Sequence, residues 1–448
     1  MTLSAVPSKD APTSLNDPTV STIRESTKLK VSHLRMAFHQ YDSDGLGPLD
    51  ATIINIMNLI SGLFPHVLSS SQLKVEKIGE GSYNRVYGVT ILPAEARRDS
   101  ATILTNRIKG FFAASRKSRE YVVRFPHDRE LTGDALADQI LREISTLQVI
   151  NSRLHFPTPR VVDYSVNSAN VLGKPFVLQT RLRGQCLYDL WRHLNAKQRA
   201  SAVKQITKIT EQIASVTAHR AGTISTENLG FPNMSRIEVD PFPVPGPYRS
   251  ADSDLQTPRT GSTSTQTPFQ WMIEQHERWT RYEYSIGQNN QDVWMQLIDI
   301  AKLLQRRGWL GNTFHLVHND LFPRNIMASI KDTSTVEITG IVDWDFACFA
   351  PKCAALTVPS WTWELDRGEV LLDESGHQLP TEEDEKNTAC REAFHDSASV
   401  EFKRFASSHD SFIAQRVYAV FGQGLKAPSM RSVATKTILQ WSELHPEE

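Results

Sequence analysis

Two stretches decide the reading of this chain: His315-Leu-Val-His318-Asn319-Asp320-Leu-Phe-Pro-Arg324-Asn325 and, further on, Gly340-Ile-Val-Asp343-Trp344-Asp345-Phe346. In each, a short apolar run (Leu316-Val317, then Ile341-Val342) ends in polar groups. Such runs, bounded by turn residues, predict strands. Strand ends that deliver carboxylates and an amide to one place suit divalent cations and phosphates, because hard cations take oxygen ligands. The spacing of Asp320 and Asn325 places them on a loop, not on one helix face. His-x-Asp-x4-Asn followed by an Asp at a strand end is a specific combination.

The bounds set by composition are ordinary. A chain of 448 residues corresponds to roughly two to three domain-sized units, enough for a large core. A net charge of −1 gives no argument for nucleic acid or a membrane surface. Cys186, Cys348, Cys353 and Cys390 form no CxxC pair, so neither a disulfide framework nor a zinc site is expected. Residues 1–17 lack the apolar region of a secretory signal. No segment approaches the roughly 18 apolar residues of a membrane span, and a reducing, cytoplasmic compartment is the expectation.

Residues 1–30, rich in Ser, Thr, Pro and charge, read as a disordered tail. Residues 31–70 read as a helical extension with helices over Val31–Tyr41 and Ala51–Phe64; Ile53, Ile56, Met57, Ile60 and Phe64 stripe the second. Asp42-Ser-Asp44-Gly45 between them fails as a calcium loop in both registers, since Ile53 or Ala51 falls where the terminal Glu belongs. Leu73–Ile78, the turn Gly79-Glu80-Gly81-Ser82-Tyr83-Asn84 and Arg85–Thr90 read as strand, glycine turn, strand. This hairpin is suited to covering phosphate, because glycine lets backbone N–H groups approach an anion. Residues 93–120 read as a basic insertion. A strand over Tyr121–Pro126 carries Arg124, and a helix over Thr132–Ile150 carries Glu143. Phe156–Asp163 and the run from Pro175 to a hinge at Gly184 supply further strands.

From Cys186 the pattern turns helical, over Leu187–Leu194, Asn195–Ala218, Phe269–Arg281 and Val293–Gly308, with a mobile insertion at about 246–268. Terminal helices are expected near Arg391–Ser407 and Asp410–Phe421. Trp361 and Trp363 read as packing residues, Arg324 as a solvated or capping charge, and Asp345 as either a supporting group or a helix cap.

This order of motifs resembles the protein-kinase-like fold, and specifically the aminoglycoside phosphotransferase family with its choline and ethanolamine kinase relatives. The resemblance implies an α+β, bilobal architecture: a small antiparallel-sheet N-lobe over 71–181 and a larger, mainly helical C-lobe over 182–425, with 426–448 as a tail. It implies ATP and Mg²⁺ as cofactors and transfer of the γ-phosphate to an alcohol group of a small molecule. Carried over by motif, Asp320 would orient the acceptor hydroxyl and accept its proton, and His318 would position the catalytic loop. Asn325 and Asp343 would hold Mg²⁺. Gly79, Gly81, Ser82 and Asn84 would cover the phosphates, Arg124 would bridge them and pair with Glu143, and the backbone near Gln179 and Leu182 would take the adenine. Arg in place of Lys at 124, Phe322, Trp344-Asp345 in place of Phe-Gly, and the lack of an Ala-Pro-Glu segment argue against a protein kinase. Residues 351–400 hold eleven acidic side chains against four Lys or Arg, which suits a cationic acceptor as well as a solvated loop. A choline- or ethanolamine-type kinase and a non-catalytic ATP-binding scaffold are the alternatives.

Overall fold

A computed structural model describes residues 51–65, 67, 69–80, 84–93, 118–126, 133–230, 236–244, 265–359, 361–364 and 382–447. The expectations for 1–50, for Gly81 and Ser82, and for most of the basic and the Ser/Thr-rich insertions lie outside the described residues. The chain divides into two compact units, Met1–Glu130 with Asp163–Gln179, and Leu131–Val162 with Thr180–Glu448. The architecture is α+β, as expected.

The first unit is a five-stranded sheet with one helix described beside it. Helix α1 (Ala51–Leu63) buries Ile56 and Ile60 of the expected stripe together with Leu59, while Ile53, Met57 and Phe64 are partly buried against the same core. The strands are β1 (Leu73–Glu80), β2 (Asn84–Ile91), β3 (Arg119–Pro126), β4 (Val161–Ser165) and β5 (Phe176–Thr180), in the order β1-β2-β3-β5-β4. Alternation along β3 buries Tyr121, Val123 and Phe125 and turns Val122 and Arg124 to the other face. Tyr121, Val123 and Phe125, with Val89 and Leu178, belong to the core of this unit. The β1–β2 ladder slips between Lys77 and Gly79, so Gly79 faces Val86 across a bulge. Glu80 closes the hairpin by pairing with Lys77 and with Arg85.

The second unit opens with α2 (Asp134–Arg153), which buries Ile140, Ile144, Leu147 and Ile150. It continues through β6 (Gln185–Cys186), α3 (Leu187–Trp191), α4 (Ala196–Ala214), β7 (Thr217–Ala218), β8 (Gly222–Ile224) and β9 (Val239–Asp240). Arg142 on α2 reaches Thr223 at 3.0 Å and Asp240 at 2.9 Å, and Ser145 donates to the Ser225 carbonyl at 2.6 Å. Helix α2 is therefore tied to β8 and β9 by polar groups as well as by its apolar face. Both α4 and α5 (Pro268–Ser285) begin with capping boxes, Asn195 with Gln198 and Thr267 with Gln270. Each box satisfies N–H groups that the first helical turn leaves unpaired. Helix α6 (Gln291–Arg306) leads into β10 (Phe314–Val317), which lies between β7 and β13 (Cys348–Pro351). A separate three-stranded sheet has the order β12 (Val336–Ile341), β11 (Ile326–Ile330), β6. Short helices α7 (Lys352–Ala355) and α8 (Trp361–Glu364) follow, then α9 (Glu382–Ser397), α10 (Val400–Ser407), α11 (His409–Gln423) and α12 (Pro428–Leu444).

Several boundaries depart from the sequence reading for local reasons. The helix expected over Asn195–Ala218 stops at Ala214, because Thr217 and Ala218 pair with His315 and Phe314. The helix expected over Arg391–Ser407 is two helices, since Ser399 caps the second through Phe402 N–H at 3.1 Å. Residues 428–444, assigned to a tail, form a helix that buries Ala434, Thr437 and Trp441. Strands β11 and β13, which continue past the two motifs, were not anticipated.

Two glycines in the second unit are fixed by close approach. A Cβ on Gly184 (φ 94°) would stand 2.4 Å from the Ala328 carbonyl oxygen, and one on Gly340 (φ 156°) 2.7 Å from that of Pro157. Neither backbone atom can yield as a flexible side chain could. Gly340→Ala should lower stability by about 1–3 kcal/mol, read as a fall in the denaturant midpoint with the slope unchanged.

Candidate functional site

Strand β10 ends at Val317, and the next residue fastens the loop that follows. His318 is 2% exposed. Its Nε2–H donates to the Val342 carbonyl at 3.0 Å, and its Nδ1 accepts the Asp320 backbone N–H at 3.3 Å. One neutral tautomer satisfies both nitrogens. Burial lowers the imidazole pKa to about 4, with the Val342 carbonyl opposing that shift. Trp344 lies against the ring, centroids 4.4 Å apart, and is held by its own Nε1–H to the Ile341 carbonyl at 3.2 Å.

Asn319 takes a left-handed backbone, φ 60°, which Asn tolerates better than most residues. Its side chain donates to the Phe346 carbonyl at 3.1 Å and to Cys348 Sγ at 3.0 Å. The loop after β10 is thereby sewn to the start of β13. Cys348 is inert as a nucleophile here, because burial pushes its thiol up to about 11.

Asp320 and Asn325 meet directly. Asn325 Nδ2 donates to the Asp320 carbonyl at 2.8 Å and to its Oδ2 at 2.7 Å. The Asn325 carbonyl in turn accepts the Val342 N–H at 2.9 Å. The residue after Val342 is Asp343, the second non-glycine at positive φ (62°) among the described residues. So His318, Asp320, Asn325 and Asp343 come from two strand ends stitched by one backbone bond and one imidazole. Arg324, read from sequence as a solvated or capping charge, is largely exposed; it also pairs with Asp320 Oδ1 and lies over the Phe322 ring at 4.9 Å. Its position four residues after Asp320 was the available signal. Trp361 behaves as packing, edge-on to Trp191, with its Nε1–H on the Leu321 carbonyl at 3.0 Å.

With its amide nitrogen committed to Asp320, Asn325 has an oxygen to offer. That oxygen and the Asp343 carboxylate are hard-oxygen groups of the kind Mg²⁺ accepts when substrate phosphates and waters complete the shell. Among the described residues no three His, Cys, Asp or Glu groups are arranged to hold a metal by themselves. A cation here would depend on ligands from outside the protein. The other expected residues are distributed by unit. Gly79, Asn84, the half-buried Arg124 and the buried Gln179 belong to the first. The half-buried Glu143 on α2 and the half-buried Leu182 belong to the second.

The profile of the phosphotransferase enzyme family matches residues 106–383. The chain belongs to that family, as the motifs implied. Among curated proteins it is similar to altered inheritance of mitochondria protein 9, mitochondrial, of Debaryomyces hansenii, 25% identical over 47% of this chain and 29% of that one. The protein of the same name from Saccharomyces cerevisiae strain YJM789 is 26% identical over 25% of this chain and 18% of its own length. The chain thus spans under a third of the length of these relatives. Among solved structures it is similar to the streptomycin–ATP ternary complex of APH(2")-IIa, with TM-score 0.42, 13% identity and coverage of 88% of this chain and 97% of that one. That likeness is too loose to carry an argument. The relatives' names correct one expectation. They are named as mitochondrial proteins, which overturns the cytoplasmic compartment read from composition.

The His318 clasp has a pH signature. Its folded pKa lies below the ordinary 6.5, so the unfolded chain binds the proton first as pH falls. The stabilisation is present in full above about pH 6.5 and is lost progressively down to about pH 4, a loss of order 3 kcal/mol at most. Urea unfolding at both ends of that window should show His318→Gln less stable at neutral pH and less pH-sensitive than wild type. Parallel curves would remove His318 from the account.

Proposed function

We propose that this member of the family is an ATP- and Mg²⁺-dependent kinase that phosphorylates a hydroxyl of a small molecule. The observation that carries the reading is the direct Asp320–Asn325 contact, fastened through Val342 to the strand end that bears Asp343. Phosphoryl transfer asks little covalent chemistry of a protein. It needs charge neutralisation and in-line positioning. Asp320 is assigned the acceptor hydroxyl: Asn325 keeps hold of Oδ2, while the pair with the largely exposed Arg324 leaves Oδ1 open to exchange. The hydroxyl hydrogen bonds there and gives its proton to the carboxylate as the new O–P bond forms and the bond from the γ-phosphorus to the departing ADP oxygen breaks. Asn325 and Asp343 are assigned the metal, which when bound neutralises phosphate charge. His318, neutral and buried, is assigned a positioning role and no proton transfer. Gly79, Gly81, Ser82, Asn84, Arg124, Glu143, Gln179 and Leu182 are assigned to the nucleotide by family resemblance.

The acidic excess of residues 351–400 favours a cationic acceptor, an aminoglycoside or a choline- or ethanolamine-like amine alcohol. The names of the relatives favour a mitochondrial setting. The alternative is a scaffold that binds nucleotide without transfer.

An acceptor panel coupled to ADP release separates these readings. Turnover on one acceptor class should fall about 10²–10⁴-fold in Asp320→Ala. Wild-type-like turnover in that variant would remove Asp320 from the base role. ATP binding with no transfer to any acceptor would favour the scaffold.

A further inference from the structure

Two partners divide the carboxylate of Asp320 between them, and they differ in kind. Oδ2 accepts Asn325 Nδ2 at 2.7 Å, and the same nitrogen reaches the Asp320 carbonyl at 2.8 Å. Asn325 is 5% exposed, and its backbone N–H is spent on the Phe322 carbonyl at 2.9 Å. This partner belongs to the fixed part of the loop. Oδ1 accepts Arg324 Nη2, from a side chain that is 60% exposed, whereas that of Asp320 is only 14% exposed. A largely withdrawn carboxylate thus has one partner that stands in solvent, and that partner is a cation.

The hold of Arg324 on Oδ1 is modest. Its backbone is set by the 3₁₀ turn Pro323–Asn325, but its long side chain stands in solvent and can swing. The guanidinium lies 4.9 Å from the centre of the Phe322 ring, and Phe322 is itself partly exposed. That aromatic face keeps the guanidinium beside the carboxylate whether or not the pair is made, so little freedom is lost when it forms. An ion pair with one exposed partner then favours the covered carboxylate by about three- to tenfold. Such a margin keeps Oδ1 occupied most of the time and yields to a ligand that has contacts of its own.

The covered oxygen is the one assigned to the acceptor hydroxyl, and water competes for the same place. A water there would give its proton to Asp320 as its oxygen bonds to the γ-phosphorus and the bond to the ADP oxygen breaks, releasing ADP and inorganic phosphate. The carboxylate alone does not tell a water O–H from an alcohol O–H. A cover that must be displaced does, because an acceptor brings binding energy from contacts elsewhere and a lone water brings none.

We propose that Arg324 is a displaceable cover on the base, a positioning residue that withholds Asp320 from water and gives way to the acceptor. The inference rests on the kinase reading and adds to it the residue that sets acceptor against solvent.

The test is ATP hydrolysis by the full chain with Mg²⁺ and no acceptor, read as phosphate release. Arg324→Ala should raise the rate about three- to tenfold over wild type, where a merely structural loss would lower it. Arg324→Lys, which keeps a cation on a long stem, should fall between the two. Asp320→Ala combined with Arg324→Ala should lose the gain, because the gain passes through the base. Calorimetric binding of ATP with Mg²⁺ to the wild type separates this proposal from the reading beneath it. With that binding present, the proposal alone is overturned if Arg324→Ala hydrolyses ATP no faster than wild type, if Arg324→Lys matches Arg324→Ala, or if the gain survives in the double variant. Without that binding, the kinase reading and the proposal fall together.

Discussion

The structure around the candidate site depends on one backbone hydrogen bond, from Val342 N–H to the Asn325 carbonyl at 2.9 Å. It extends the β11–β12 ladder by one rung, joining the entry of β11 to the exit of β12. By itself such a bond contributes only about 1 kcal/mol. What makes it decisive is its company. His318 grips the carbonyl of the same Val342, and Trp344 closes over the imidazole. His318, Asn325 and Trp344 are buried and the polar groups of the clasp are partnered, so loosening it in part would strand a donor or an acceptor.

The clasp also explains two unusual backbones. Asn319 and Asp343 both hold φ near +60°, a conformation that costs non-glycine residues energy and persists where surroundings over-determine it. Asn319 is held by Phe346 and Cys348. Asp343 follows directly on the residue that is bonded twice. Both turns sit beside strand ends, Asn319 just after β10 and Asp343 just after β12, and straightening the first would carry Asp320 away from Asn325.

Much of this was legible in the sequence. His318, Asp320, Asn325 and Asp343 announced themselves by spacing and by the apolar runs before them, and amphipathic periodicity marked α1, α2 and α4. Less legible was whatever depends on distant partners. Thr217 and Ala218 read as the end of a helix because nothing local marks their pairing with β10. The helix over residues 428–444 was missed because its apolar residues do not keep to one face, Leu439 and Leu444 lying exposed, and its burial comes from neighbours. Arg324 is exposed, as a solvated charge should be, but its pairing with the Asp320 carboxylate one loop turn away was not anticipated. The compartment was misread for a different reason, since bulk composition carries little information about an address.

The most direct test of the central claim is calorimetric titration of ATP, with and without Mg²⁺, into the wild-type chain and Asp343→Asn. If the two strand ends form a metal–phosphate site, Mg²⁺ should tighten ATP binding by at least about tenfold in the wild type, roughly 1.4 kcal/mol, and Asp343→Asn should abolish that gain. Equal affinity with and without the metal in wild type, or a gain that survives in Asp343→Asn, would contradict the account.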